Sequence, residues 1–157
     1  MYTLRYSQKI PITMEESWNF FSSPENLKIL TPENLGFEIT NDYGQKKIYA
    51  GQIIAYNVRP ILNIPLEWVT EITHVNEPNY FIDEQRFGPY KLWHHEHHFK
   101  AISNGVEATD IIYYKMPYGI LGSAIHALKV KSNLAAIFAY RNAKLIKLFG
   151  PYTNFSN

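Results

Sequence analysis

The stretch Phe81–Phe99, FIDEQRFGPYKLWHHEHHF, reads as two β-strands joined at Gly88-Pro89. Side chains alternate faces along a strand with a period of two. Phe81, Asp83, Gln85 and Phe87 are therefore expected on one face of the first strand. On the second, Trp93, His95, His97 and Phe99 share one face, and His94, Glu96 and His98 share the other. If the first of those faces lines a cavity, the chain holds a small molecule between aromatic walls and a few polar anchors.

The flanking sequence extends this hairpin into a sheet. Phe37 to Thr40, Ile48 to Val58, Leu66 to Val75 and Val106 to Lys115 are further β-branched or aromatic runs. Turn residues separate them, among them Pro60, Asn63, Asn76 with Pro78, and the hairpin signal Asn104-Gly105. Such short connections imply antiparallel neighbours. Tyr2 to Ile10 alternates in the same way and adds a strand ahead of two short helices. Thr13 and Glu16 form a capping box for the first helix, which carries Trp18, Phe20 and Phe21. Ser23-Pro24 opens the second, with Leu27 and Leu30 as its buried side. After Met116 the period becomes helical: Leu134, Phe138, Leu145 and Leu148 fall near one stripe, with Ile137 beside it. This helix is expected over about Gly122 to Phe149, roughly 40 Å long, and Gly150-Pro151 stops it. The expected fold is α+β, a curved antiparallel seven-stranded sheet in the order β-α-α-β6-α. It would wrap around the long C-terminal helix and enclose an internal cavity. No linker or repeat is visible, so residues 1–157 are expected to form one domain.

Composition narrows the function classes. The chain is 46% hydrophobic and only 18% charged, against roughly 25% charged in an average soluble protein. Its 12 Tyr, 9 Phe and 3 Trp suit an apolar pocket with hydroxyls at its edges. A net charge of +1 supplies no field to recruit nucleic acid. The absence of Cys excludes disulfides, thiolate metal sites and a Cys nucleophile. The N-terminus carries no apolar signal-peptide run and no stretch reaches membrane-spanning length. A cytoplasmic protein without membrane insertion, monomeric or homodimeric, is the expectation.

The order and the residues resemble the SRPBCC superfamily, the START-like, helix-grip proteins that include the birch pollen allergen fold and polyketide cyclase/dehydrases. The resemblance covers essentially the whole chain. Its most specific part is a bacterial subgroup pattern carried here by Phe81, Asp83, Gln85, Gly88, Pro89, Tyr90, Trp93, His95, His97 and Phe99. Thr109, Asp110, Tyr114, Pro117, Gly119, Leu121 and Gly122 continue it, and Ile137-Phe138, Tyr140-Arg141, Leu145 and Phe149 follow in the helix. The resemblance implies a helix-grip fold around a ligand cavity. It transfers no catalytic set, because carriers, sensors and enzymes share the fold.

The candidate site residues follow from the faces. Trp68, Phe81, Trp93, Phe99 and Phe138 would supply apolar wall, and Asp83, Gln85, His95, His97 and Tyr114 polar anchors. His95-x-His97 places two imidazoles roughly 7 Å apart along a strand, a separation that zinc sites use. The reading preferred here makes them wall or core residues paired with neighbours, and neither a metal nor a cofactor is assigned. Asp83 and Asp110, in the strands before and after, could each neighbour His95 or His97. Such pairs could form an acid–base cluster or simply satisfy buried polar atoms. Arg141 interrupts the apolar stripe and could reach inward to a carboxylate or snorkel to the surface. The leading functional expectation is a carrier or sensor of a small apolar or aromatic molecule, lipid- or polyketide-like. One alternative is a cyclase- or dehydratase-type enzyme using His95 or His97 with Asp83 or Asp110. Another, implied only by labels within the resembling group, is a regulatory interaction protein of cell-division-inhibitor type.

Overall fold

The computed structural model describes residues 1–42, 44, 47–59, 64–117, 119 and 129–153. Seven strands form one antiparallel sheet: β1 (Tyr2–Ile10), β2 (Glu38–Ile39), β3 (Ile53–Val58), β4 (Leu66–Asn76), β5 (Tyr80–Phe87), β6 (Leu92–Ile102) and β7 (Gly105–Lys115). Their spatial order is β1-β7-β6-β5-β4-β3-β2. Helices α1 (Met14–Phe21) and α2 (Pro24–Leu30) follow β1, and α3 (Lys131–Phe149) closes the chain. No helix among the described residues is long and apolar enough to cross a membrane.

Local chemistry sets most boundaries. Thr13 caps α1 with both bonds of a capping box: the Glu16 N–H donates to Thr13 Oγ1, and the Thr13 N–H donates to Glu16 Oε2. Ser23 stands at the N-cap of α2 but makes no side-chain cap bond, and Pro24 alone pre-sets that helix start. Asn104 takes the left-handed conformation at φ 61° in the β6–β7 hairpin. Gly105 cannot be replaced there, because a Cβ would collide with the Ile10 carbonyl oxygen.

One boundary and two burial expectations differ from the sequence reading. The run from Ile48 does not enter the sheet as a whole. Gly51, at φ 91°, turns the chain, and β3 starts only at Ile53. Leu27 is 39% exposed, although it also lines the cavity, so α2 sits at the cavity's rim. Leu148 is 45% exposed because contact with α1 passes at the last turn to Phe149, whose ring meets Phe20 at 5.1 Å. The described part of the long helix is 19 residues, about 28 Å at 1.5 Å per residue. The expected start near Gly122 lies outside the described residues.

The core is three packed clusters with a gap between them. Leu145 joins Ile10, Trp18, Phe21, Phe81, Phe99 and Val106 under α1. Leu134 and Phe138 pack with Ile112 and Tyr114 against the β1–β7 side of the sheet. Phe37, Val58 and Trp68 form a third cluster on the β2–β4 side. The space between these clusters is the cavity.

Candidate functional site

The cavity measures about 220 Å³ and lies between the inner faces of β3 to β6 and helices α2 and α3. Parity along each strand decides what lines it. Ile54 and Tyr56 come from β3, Trp68, Thr70 and Ile72 from β4, and Phe81 and Asp83 from β5. Trp93, His95 and His97 come from β6, and Leu134, Ile137, Phe138 and Arg141 from α3. Most of this wall is aromatic or aliphatic. Asp83, His95, His97 and Arg141 give it one charged corner.

That corner is built by strand order. β6 lies between β5 and β7, so its inward histidines have a carboxylate on either side. Asp83 stands opposite His95 across the β5–β6 ladder, and Asp110 opposite His97 across β6–β7. The hydrogen bonds run along the diagonals rather than straight across. His97 Nε2 bonds Asp83 Oδ2 at 2.8 Å, and His95 Nε2 bonds Asp110 Oδ1 at 2.9 Å. His97 Nδ1 lies 3.0 Å from Asp110 Oδ1, yet outside hydrogen-bond geometry, so this buried nitrogen has a charge contact but no directed bond. The two imidazoles lie 3.8 Å apart between ring centres. Phe81 stacks on the outer side of His97 at 4.1 Å.

Arg141 reaches inward from α3 and donates from Nη1 to Asp110 Oδ1 at 3.2 Å. Its guanidinium also lies over the Phe21 and Phe138 rings, at 5.4 and 5.8 Å. Burial alone would raise the Asp110 pKa. The Arg141 charge, the hydrogen bond from His95 and the close approach of His97 outweigh it and hold Asp110 well below 3.8. For His97, burial opposes protonation, but contacts with Asp110 and Asp83 overcome it and raise the pKa. His95 moves the other way, lowered by burial and then by the charge of His97. The surroundings therefore favour protonation of His97 over that of His95.

The remaining sequence candidates are placed differently. Trp68, Trp93, Phe81 and Phe138 stand in the wall, whereas Gln85, Phe99 and Tyr114 do not line the cavity. Phe99 packs among Trp18, Phe21 and Phe81. Tyr114 is fully buried among the rings of Tyr2, Tyr90 and Trp93. Gln85 acts through another residue. Its Nε2 donates to the Tyr90 carbonyl at 2.7 Å and its Oε1 accepts from the Tyr90 N–H at 3.2 Å. In this way Gln85 serves as a strand partner for Tyr90 and holds that ring in the wall. Tyr90 was not picked out as a site residue from the sequence, because loop residues carry no face periodicity. Tyr56 lines the cavity and meets Thr70 Oγ1 through its hydroxyl at 3.2 Å.

Phe87 is the clearest departure. It was expected on the face of Phe81 and Asp83, but it is 61% exposed. The β4–β5 register shifts between Val69 and Thr70, whose partners are Phe87 and Gln85, so Arg86 is an extra residue on β5. One inserted residue inverts the parity of everything beyond it. On the outer face, His94, Glu84, Glu96, His98 and Arg86 form a solvated ion-pair ladder.

No protein-family model matches the chain, and neither does any curated protein. Solved structures do match it in fold. A protein of Chromobacterium violaceum superposes with a TM-score of 0.71 at 12% identity, covering 96% of this chain and 98% of that one. The major latex-like protein 151 of Panax ginseng gives a TM-score of 0.68 at 14% identity over 96% and 98% of the two chains. A Mycobacterium smegmatis protein gives 0.65 at 16% identity over 93% and 92%. At these identities the likeness is one of fold: the architecture is the helix-grip fold, a curved seven-stranded sheet around a long C-terminal helix.

Proposed function

We propose that this protein binds one small, largely apolar molecule in the cavity and orients it through the charged corner at Asp83, His95 and His97. The observation that carries this reading is an aromatic and aliphatic cavity whose charged side chains gather at one corner. Apolar walls supply most of the affinity by area removed from water, about 25 cal/mol per Å². Polar groups at one end fix which way round the ligand sits. A cavity of about 220 Å³ lies below the roughly 300–1,000 Å³ of common ligand sites. It therefore favours a compact one- or two-ring compound, polyketide-like rather than a two-chain lipid. Carrier or sensor is the role that needs only these features.

The experiment is a titration with an anilinonaphthalene sulfonate probe, followed by its fluorescence and by quenching of Trp68 and Trp93. Saturable binding is expected. Ile137→Trp, which fills the cavity from α3, is expected to abolish it while leaving the circular dichroism unchanged. Equal binding by that variant would place the probe elsewhere and defeat the reading.

A second reading, an acid–base enzyme, has one observation in its favour. His97 Nε2 lies 2.8 Å from Asp83 Oδ2, and both residues line the cavity. Turnover of a carbonyl compound lost in His97→Gln, with probe binding retained, would select it over the carrier reading.

A further inference from the structure

The sequence reading assigns no metal and takes His95 and His97 as wall or core residues paired with neighbours. Folding brings a third donor from the neighbouring strand. Asp83, His95 and His97 each offer a donor atom, and these atoms all lie within 4.8 Å of one another. All three residues line the cavity. Among the described residues no other group of three such side chains is so placed.

One relationship goes beyond proximity, the carboxylate behind both rings. Asp110 Oδ1 is 2.9 Å from His95 Nε2 and 3.0 Å from His97 Nδ1, which leaves His95 Nδ1 and His97 Nε2 turned to Asp83. A carboxylate on the far nitrogen is what orients histidine ligands in metal sites, and Arg141 holds Asp110 in turn. Donor atoms around a tetrahedral zinc, with bonds near 2.05 Å, stand about 3.4 Å apart. The Asp83 Oδ2 separations of 2.8 Å to His97 Nε2 and 3.6 Å to His95 Nδ1 bracket that distance.

We infer that Asp83, His95 and His97 form a binding site for one divalent transition-metal ion of the zinc class, held by three protein ligands with its remaining position open to the cavity. Metal entry replaces the proton between His97 Nε2 and Asp83 Oδ2, which leaves to solvent. Asp110 is a positioning residue that acts through its hydrogen bond with His95 and its 3.0 Å contact with His97. The inference does not depend on the organic-ligand reading, since the same corner can hold an ion whether or not the apolar cavity is filled.

The test is titration of chelator-stripped protein with Co²⁺, read as visible ligand-field absorption, and with Zn²⁺ by calorimetry. The wild type is expected to saturate at one equivalent, and Zn²⁺ is expected to raise its melting temperature. Asp83→Asn, nearly isosteric, and His97→Ala should each abolish the absorption. Asp110→Asn should weaken binding by about 10- to 100-fold, and His94→Ala on the outer face should leave it unchanged. The inference is overturned if the wild type shows neither saturable binding nor a melting shift with millimolar Zn²⁺. Binding that survives Asp83→Asn combined with His97→Ala overturns it equally. The wild-type melting shift needs no variant to fold, and neither metal readout responds to whether the anilinonaphthalene probe binds.

Discussion

The imidazoles of His95 and His97 lie 3.8 Å apart, with Asp110 Oδ1 within 3.0 Å of one nitrogen of each. Two rings this close, in a buried site, do not both carry charge. The metal-free protein should therefore show split behaviour in imidazole ¹⁵N spectra. His97 should stay protonated above pH 6.5 and His95 should stay neutral below it, the directions set by their surroundings. The linked stability runs in opposite senses. His97 contributes stability that is full below pH 6.5 and disappears as pH rises through its folded value. His95 favours folding above pH 6.5, and that contribution is lost as pH falls through its lowered value. Two ordinary, independent titrations at 6.5 would refute this split.

Arg141 governs the acid limit. Asp110 is depressed in the folded protein, so its contribution is present above pH 3.8 and is lost as pH falls through the folded value. Arg141→Met removes the largest influence that lowers this pKa. Breaking such a buried pair should cost about 3 kcal/mol at neutral pH, measured by urea unfolding, and the acid-unfolding midpoint should move to higher pH. Adding Asp110→Asn to Arg141→Met should recover part of the loss. An additive further loss would show that the two groups are not coupled.

Gln85 and Gly88 act as a unit. A Cβ on Gly88 would come within 2.6 Å of Gln85 Oε1, the atom that accepts from the Tyr90 N–H. Gln85→Ala should cost about 1–2 kcal/mol for the two lost bonds. Gly88→Ala should weaken probe binding by displacing the same amide and, with it, the Tyr90 wall. The Gly88→Ala, Gln85→Ala double variant should bind the probe no worse than Gln85→Ala alone.

The bulge at Arg86 makes a contrast within one strand. Phe81→Ala, in the core at 6% exposure, should cost about 3–5 kcal/mol. Phe87→Ala should change stability by no more than about 0.5 kcal/mol. Comparable losses at both positions, measured by chemical denaturation, would mean that the parity does not invert.

These residues also show how much was legible from sequence. Period-two alternation carries Trp93, His95 and His97 directly into the wall and Phe99 into the core beside it, because β6 is regular and lies inside the sheet. The strand and helix order is equally plain, since each turn has its own Gly, Asn or Pro chemistry. The inversion at Phe87 was not legible: a bulge adds a residue without changing composition, and only the partner strand reveals it. The diagonal bonding of the histidines depends on cross-strand register, which one strand's spacing does not specify. The inward reach of Arg141 likewise depends on the position of α3 over β7. Tyr90 entered the wall through Gln85, a long-range partnership with no periodic signature.

The account rests on an occupied cavity, and native mass spectrometry of freshly purified protein against its denatured mass addresses that directly. The prediction is a noncovalent organic adduct of one molecule per chain, lost on denaturation and absent from Ile137→Trp. A bare chain, both as purified and after incubation with a small-molecule extract of its host, would contradict it.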